Sequence, residues 1–338
     1  MTEPPDNVIH FTGRDDGIKV ITAKELLAID FPELFWNIFE ILPAGTMLLF
    51  GKPKKGKSFL TLMIAICIAA GRLVFGKATS GKHVLYLALE DSHRRLKRRA
   101  MGCANSLGIN PVEFGEKLHL SVTSKRVDNG LIEDLRGWML AYPETGVIVI
   151  DMLKMVTGAA RGKDLYSEQA EVGHALTKFC HQYPELTIIV VHHSRKADSE
   201  DPFDLASGTT GLSGSYDSLA AIADTEGARM LHITGRDIEG AEIPLLMNER
   251  GMYTLEMPNP EEILAASMSD TRRAVFDAVP AGEAYQRKDV ASGCGLDDST
   301  VAKQLHNLVR DGLVKKQGYG KYQKTGRRWF EEPIPDDY

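Results

Sequence analysis

The sequence predicts an α/β fold with a mostly parallel sheet, followed by a small C-terminal winged-helix domain. Apolar segments rich in Val, Ile and Leu alternate with helical segments as far as residue 257. Such strands are typical of a parallel sheet that helices cover on both faces. A G-x-x-x-x-G-K-S motif at 51–58 lies between a predicted strand and a predicted helix. After a proline-marked linker the order is helix, helix, turn, helix and hairpin, which is typical of a winged helix-turn-helix.

The elements of the larger domain follow one another as alternating helices and strands. The predicted helices span 23–29, 59–70, 92–107, 131–141 and 167–182. The predicted strands span 47–50, 83–89, 118–122, 147–150 and 187–191. Three shorter strands, which we expect to be antiparallel, close the domain at 230–234, 243–247 and 252–255. In the tail, helices are expected at 271–279, 287–292 and 298–310, and a hairpin at 313–323.

The composition is that of a globular protein with one large and one small domain. The chain has 338 residues and a formal net charge of −6, so nucleic-acid binding would need local basic patches. Four cysteines without Cys-x-x-Cys pairing predict neither a zinc site nor disulfides, and they fit a reducing cytoplasm. The polar, acidic N-terminus is not a signal peptide. The longest apolar stretch is too short to span a bilayer.

The motif at 51–58 is a complete phosphate loop. Gly51 and Gly56 allow a tight turn whose backbone N–H groups close around phosphate oxygens. Lys57 can reach the outer phosphates, and the Ser58 hydroxyl can ligate Mg²⁺. The helix that follows directs its positive end at the same anion. We therefore expect this chain to bind ATP and Mg²⁺. We also expect Lys54 and Lys55 of the motif, and Phe59 directly after it, to contact the nucleotide.

Carboxylates end two of the predicted strands. The apolar strand 147–150 leads into Asp151, where an acid would hold the water shell of the magnesium ion. Glu90 and Asp91 follow another strand, and a carboxylate there could polarise the attacking water as a general base. Glu90 has the longer reach for this role. We expect Asp91 to cap the helix that begins near Ser92.

His192 and His193 end a third buried strand. Adjacent strand residues point to opposite faces, so a metal shared by the two rings is not expected. One histidine is expected to face the nucleotide as a γ-phosphate sensor, and the other to pack or to form hydrogen bonds.

Four motifs together resemble the RecA-type ATPases of the RepA-like replicative helicase family, which plasmids, phages and other mobile elements encode. The resemblance runs from about residue 21 to 257 and includes the phosphate loop, 85–91, 149–151 and 192–196. It implies a RecA-like P-loop NTPase core in a hexameric ring that hydrolyses ATP between subunits and moves on single-stranded DNA. It further implies roles for individual residues: Lys57 and Ser58 on phosphate and Mg²⁺, Glu90 as base, Asp151 as metal-shell acid, and His193 where related helicases carry a sensor glutamine.

The resemblance also implies an arginine finger, a guanidinium that a neighbouring subunit supplies to the transferring phosphoryl group. Arg236 lies at the matching position after a late strand, and Arg229 competes for the role. Thr234 stands where the helicase pattern usually has a lysine. The alternative for Arg236 is a surface ion pair with Asp237.

The N-terminal segment and the domain limits complete the predicted organisation. Aromatic and apolar residues at 31–42 indicate either a lid over the nucleotide base or an arm that packs on a neighbouring subunit. The predicted parts are an N-terminal segment at 1–43, an ATPase domain at 44–257, a linker at 258–268, a winged-helix domain at 269–330 and an acidic tail at 331–338.

Two glycine-rich loops would face the channel of a RecA-like ring. They are 157–166, with Arg161 and Lys163, and 196–214, preceded by Arg195 and beginning at Lys196. Backbone N–H groups and basic side chains there could follow a phosphate backbone without reading its sequence. The second loop also carries four acids, which are unfavourable beside DNA.

The tail offers a second contact with nucleic acid. Between 303 and 328, eight basic residues face a single acid, which is the charge distribution of a duplex-binding surface. A winged helix also serves as a protein-docking or dimerisation module, and the sequence leaves both open. The residues expected to contact DNA are Ser299, Thr300, Lys303, Gln304, Asn307, Lys315, Lys316 and Lys321.

Two functions remain in consideration. The first is an ATP-driven replicative helicase of a mobile element, with single-stranded DNA in the channel and duplex DNA or a replication protein at the tail. The second is a regulator or helicase loader in which the ATPase domain controls assembly and the winged helix binds DNA or a partner.

Overall fold

The computed structural model describes residues 9–10, 19–158, 165–193, 203, 210–225, 228–248, 251–255, 268–280, 284–310, 313–318 and 320–324. The chain divides into two units, 1–35 and 36–338. No described helix is both long enough and apolar enough to cross a lipid bilayer.

The first unit contains two short strands and one short helix. Strand β1 (Ile9–His10) pairs antiparallel with β2 (Lys19–Val20), and helix α1 spans Ala23–Leu27. The Thr22 hydroxyl accepts from the backbone of Glu25, whose carboxylate accepts in return from the backbone of Thr22. This capping box explains where α1 begins. No residue of α1 is buried.

The second unit alternates strands and helices, as the sequence predicts. Its strands are β3 (Trp36–Ile38), β4 (Leu42–Pro43), β5 (Gly45–Gly51), β6 (His83–Ala88), β7 (Leu118–Ser121), β8 (Thr145–Asp151), β9 (Thr187–His193), β10 (Ser218–Thr225), β11 (Ala228–Gly235), β12 (Ala241–Pro244), β13 (Tyr285–Gln286), β14 (Val314–Gln317) and β15 (Lys321–Lys324). Its helices are α2 (Lys57–Ala70), α3 (His93–Leu107), α4 (Pro111–Phe114), α5 (Leu131–Ala141), α6 (Leu153–Val156), α7 (Leu165–Cys180), α8 (Thr210–Ser213), α9 (Asp270–Asp277), α10 (Arg287–Cys294) and α11 (Asp298–Arg310).

The predicted mostly parallel sheet is confirmed. Eight strands lie in the order β12-β11-β10-β5-β9-β8-β6-β7. The six strands from β10 to β7 are parallel, and β11 and β12 are antiparallel to their neighbours. Alternate strand residues enter two separate apolar clusters, with Val147 in one and Ile148 in the other. The sheet is therefore covered on both faces, and the carboxyl ends of its parallel strands meet along one edge.

Strand β10 is absent from the sequence-based prediction. It pairs with β5 on one side and β11 on the other, but four of its eight residues are Ala or Asp, which disfavour strands. Its place between two strands outweighs that local preference. The strand predicted at 252–255 is wrong, because only an isolated bridge joins Met247 and Tyr253.

The C-terminal elements build a core of their own. Helices α9, α10 and α11 enclose a buried apolar cluster that includes Val275, Val290 and Leu305, and β14 adds Val314. Strands β13 and β14 pair antiparallel with β15. The predicted bounds of α11 are confirmed, and Asp297 caps the start of the helix. The Asp297 carboxylate accepts from the Thr300 backbone at 2.9 Å.

Candidate nucleotide site

The phosphate loop joins β5 to α2 at the carboxyl edge of the parallel strands. Gly51 and Gly56 have φ of 155° and 79°. A Cβ on Gly51 would lie 2.7 Å from the Ile222 carbonyl oxygen, and one on Gly56 would lie 2.8 Å from the Tyr253 ring. Both positions therefore require glycine for space as well as for backbone conformation. Lys54 also has a positive φ, of 64°.

Lys57 lies inside the loop and is almost fully buried. Its Nζ donates to the carbonyl oxygens of Gly51 at 2.7 Å and Lys52 at 3.0 Å. Burial lowers the pKa of Lys57 to about 8, while attraction to Asp151 opposes this shift. Two backbone carbonyl oxygens therefore hold the ammonium group at the inner wall of the loop, where it can neutralise a bound anion.

Ser58 and Asp151 meet beside the loop, although 93 residues separate them in sequence. The Ser58 hydroxyl donates to one Asp151 oxygen at 3.0 Å, and the Tyr86 hydroxyl donates to the other at 2.9 Å. Burial raises the pKa of Asp151, and these two hydrogen bonds oppose the rise. Oxygen donors of this kind fit Mg²⁺, which takes one or two protein ligands and completes its shell with water and phosphate.

Glu90 and Asp91 have different environments. The Glu90 side chain is 48% exposed, and its carboxylate lies 3.7 Å from the Lys154 ammonium. The Asp91 side chain is only 5% exposed and forms ion pairs with Arg95 and Arg99. The expectation that Asp91 caps α3 is wrong, because the Ser92 hydroxyl accepts from the Arg95 backbone and is the N-cap.

The two histidines end β9, whose residues His192 and His193 pair with Phe50 and Gly51. Burial lowers the pKa of His192 to about 4, with further contributions from His193 and Lys57. Burial and Lys57 also lower the pKa of His193, while Glu90 opposes that shift. Both rings are therefore neutral at pH 7. His193 is the more exposed of the two and lies within electrostatic range of Lys57 and Glu90.

One flank of the loop is covered by residues that no sequence motif identifies. The Lys55 ammonium pairs with Asp224, which also accepts from Arg229 at 3.1 Å. The buried Tyr253 donates its hydroxyl to the Lys55 carbonyl oxygen. On the other flank, the Arg99 guanidinium lies 4.8 Å from the centroid of the Phe59 ring. These contacts join segments far apart in sequence, which is why pattern analysis does not find them.

The two candidate finger arginines lie at opposite ends of the β10–β11 pair. Arg229 pairs in register with Asp224 on β10 and belongs to the network around the loop of its own chain. Arg236 directly follows the last residue of β11. It is seven residues beyond Arg229, which corresponds to about 24 Å along a strand. Its side chain is 67% exposed and lies 4.0 Å from Asp217. Arg236 is therefore accessible to another molecule, whereas Arg229 is held beside its own loop.

The residues expected to contact DNA fall into two groups. Arg161, Lys163, Arg195 and Lys196 lie outside the described residues. In the tail, Lys303 on α11 and Lys315, Lys316 and Lys321 on the β14–β15 hairpin are exposed, while Gln304 and Asn307 are half-buried on α11. The Ser299 and Thr300 hydroxyls donate to Asp297, so they stabilise the start of α11.

Comparisons with known proteins give one family and a shared fold. The sequence matches the family model AAA_25, described as an AAA domain, over residues 18–199. A solved DnaB-like replicative helicase, described with its interactions with primase, aligns at a TM-score of 0.52 and 13% identity. The match covers 64% of this chain and 58% of that one, which is less than two thirds of its length.

Two further solved structures align less closely. One is described as an ATPase domain and has a TM-score of 0.49 and 14% identity, with 62% of this chain and 84% of that one covered. A KaiC-like protein from Pyrococcus horikoshii OT3 has a TM-score of 0.43 and 15% identity, with 62% and 89% covered. No curated protein sequence matches the chain.

Proposed function

Because this chain belongs to the AAA domain family AAA_25, we propose that it is an ATP-hydrolysing, ring-forming motor that acts on DNA, as a replicative helicase of a mobile genetic element. The observation that carries the proposal is the hydrogen bond between Ser58 and Asp151 beside the buried Lys57. The half-exposed Glu90 lies at the same edge of the sheet. The family assignment and this geometry together support an ATPase.

Each residue of the site has a role that follows from its position. The backbone N–H groups of the loop, including those of Lys54, Lys55 and Phe59, bind the phosphates, and Lys57 neutralises the outer ones. Ser58 and Asp151 would hold Mg²⁺, which withdraws charge from the phosphoryl group when bound. Glu90 accepts the proton of the attacking water, and its exposure leaves room for that water. His193 remains neutral and donates to the terminal phosphate as a sensor.

We further propose that Arg236 acts in the site of a neighbouring copy. The support is its exposure and its distance from the loop of its own chain, since a finger must reach away from its own nucleotide. ATP then lies between subunits, and hydrolysis changes their relative position. A hexameric ring with single-stranded DNA in its channel satisfies this requirement. Arg161, Lys163, Arg195 and Lys196 would line that channel.

The C-terminal elements are proposed to be a winged-helix domain at 269–330, joined by a linker at 258–268 to an ATPase domain at 44–257. Support comes from the separate core and from the three helices that precede a β-hairpin. The exposed Lys303, Lys315, Lys316 and Lys321 would bind duplex phosphates, with Gln304 and Asn307 beside them. The Asp297 carboxylate at the start of α11 is unfavourable for that contact, and it favours the alternative that this domain docks a protein.

One pair of assays separates the motor from the regulator. ATP turnover is measured with and without single-stranded DNA, and strand displacement is measured on a forked duplex. The motor predicts stimulated turnover and displacement, together with closed rings by electron microscopy in a non-hydrolysable ATP analogue. A protein that stays monomeric, displaces no strand and shows no stimulation would be a nucleotide-dependent regulator or helicase loader.

A further inference from the structure

The carboxylate of Asp91 sits between two guanidinium groups at the edge of the nucleotide site. Arg95 Nε donates to one oxygen and Arg99 Nη1 donates to the other. The two arginines lie one turn apart on α3, so a single carboxylate can pair with both. The Asp91 side chain is 5% exposed and that of Arg99 is 15% exposed. Solvent therefore screens the Asp91–Arg99 pair little, and each partner needs the other.

Further hydrogen bonds restrain the backbone on both sides of Glu90. The Leu89 N–H donates to the Asp151 carbonyl oxygen at 2.8 Å, and the Asp91 N–H donates to that of Ala88 at 3.0 Å. The Glu90 carbonyl oxygen accepts from Arg95 Nη2. Glu90 therefore stands on a turn whose flanking N–H groups have partners, while its side chain remains half-exposed.

Arg99 extends this restraint to the phosphate-loop helix. Its guanidinium packs on Phe59, the residue after Ser58, and its charge opposes the rise that burial causes in the pKa of Asp151. Its Nε and Nη2 atoms are buried and have no hydrogen-bond partner among the described residues. The ion pair with Asp91 and the contact with Phe59 are therefore what hold this cation beside the site.

We propose that Asp91 and Arg99 form a clamp that positions Glu90 for attack on the terminal phosphate. This inference rests on the proposed function, in which Glu90 is the general base. Asp91 is a positioning residue, because two guanidinium groups occupy its own oxygens. A base displaced by about 1 Å can lower turnover by up to about 100-fold, since proton transfer depends steeply on geometry.

The test measures kcat and KM for ATP in the full-length protein. Asp91→Asn keeps the shape of the side chain and removes its charge, and Arg99→Gln removes the guanidinium. We expect kcat to fall by about 10- to 100-fold in both variants, with KM close to that of the parent. The matched control is Arg98→Gln, on an exposed residue of the same helix, which should leave both constants unchanged.

A second measurement separates positioning from folding. Asp91→Asn leaves Arg99 without its buried counter-charge and should lower the melting temperature. The double variant Asp91→Asn/Arg99→Gln removes both charges and should regain much of that loss while kcat stays low. If kcat returns with the melting temperature, the clamp has only a structural role and the proposal fails.

A third measurement combines the clamp variant Asp91→Asn with the base variant Glu90→Gln and compares their effects on the rate of ATP hydrolysis. On a Glu90→Gln background, Asp91→Asn should not lower the residual rate further, because no base remains to be positioned. A further fall of the same size as in the parent would overturn the clamp. If Glu90→Gln itself keeps full turnover, the base assignment fails, whatever the clamp variants do. If Glu90→Gln is inactive and Asp91→Asn is normal, the clamp alone fails.

Discussion

Replacement of Tyr86 by Phe tests how Asp151, the proposed metal-shell acid, is held in place. The Tyr86 hydroxyl is fully buried, donates to Asp151 at 2.9 Å and lies 2.9 Å from the Thr61 hydroxyl. A hydrogen bond to a charged group contributes about 1.5–3 kcal/mol when its loss leaves the partner buried. After the change, the Asp151 carboxylate keeps the hydrogen bond from Ser58 at 3.0 Å as its one hydrogen bond within the described part of the chain. We therefore expect Tyr86→Phe to lower the free energy of unfolding by about 2 kcal/mol.

The assay is urea unfolding at neutral pH without nucleotide, followed by tryptophan fluorescence. Tyr216→Phe provides a matched control, because the Tyr216 hydroxyl is equally buried but has no partner among the described residues. Removing it should leave stability unchanged or raise it, since it removes an unpaired polar group. Equal losses in the two variants would refute the reasoning, because the cost would then follow the removal of any buried hydroxyl and not the loss of the hydrogen bond to Asp151.

Three other predictions address the proposed chemistry and the tail. Lys57→Ala should abolish ATP hydrolysis, because Lys57 is the buried lysine of the loop and its ammonium group lies against the loop carbonyls. Wild-type turnover in this variant would contradict the phosphate-loop assignment. Arg236→Ala subunits mixed with Lys57→Ala subunits should regain part of the ATPase activity that each lacks alone. The reason is that a mixed interface can combine one intact loop with one intact finger. No recovery at any mixing ratio would count against a finger supplied by the neighbouring subunit. Lys315→Gln/Lys316→Gln should weaken duplex binding and reduce the slope of log affinity against log salt by about 2, and unchanged binding would favour a protein-docking role for the tail.

Much of the nucleotide site is local in sequence and is therefore predictable. The phosphate loop requires two glycines, a lysine and a serine within eight residues, and the structure places Gly51, Gly56, Lys57 and Ser58 as that motif demands. The positions of Asp151 and Glu90 follow because buried parallel strands end at a common edge. The predicted bounds of α11 agree with those observed, because the packing of the helix is consistent with its helical sequence pattern.

The failures lie where side-chain pairing or strand pairing in the folded structure outweighs the preference of a single residue or segment. Asp91 has the residue type and position of a helix cap, yet two arginines further along α3 occupy its oxygens and Ser92 takes the cap. Strand β10 has a composition that disfavours strands, but hydrogen bonds to β5 and β11 on both sides compensate for it.

The sequence by itself was enough to predict the chemistry proposed for this protein, because the phosphate loop, the proposed metal-shell acid and the proposed base each lie in a short motif at the end of a strand. Only the tertiary structure decided which side chains surround these groups. It brought Tyr86 to Asp151 and Tyr253 to Lys55. Such contacts join residues as much as 198 positions apart. Periodicity and motif spacing describe neighbours along the chain, whereas these pairings depend on the order of strands in the sheet.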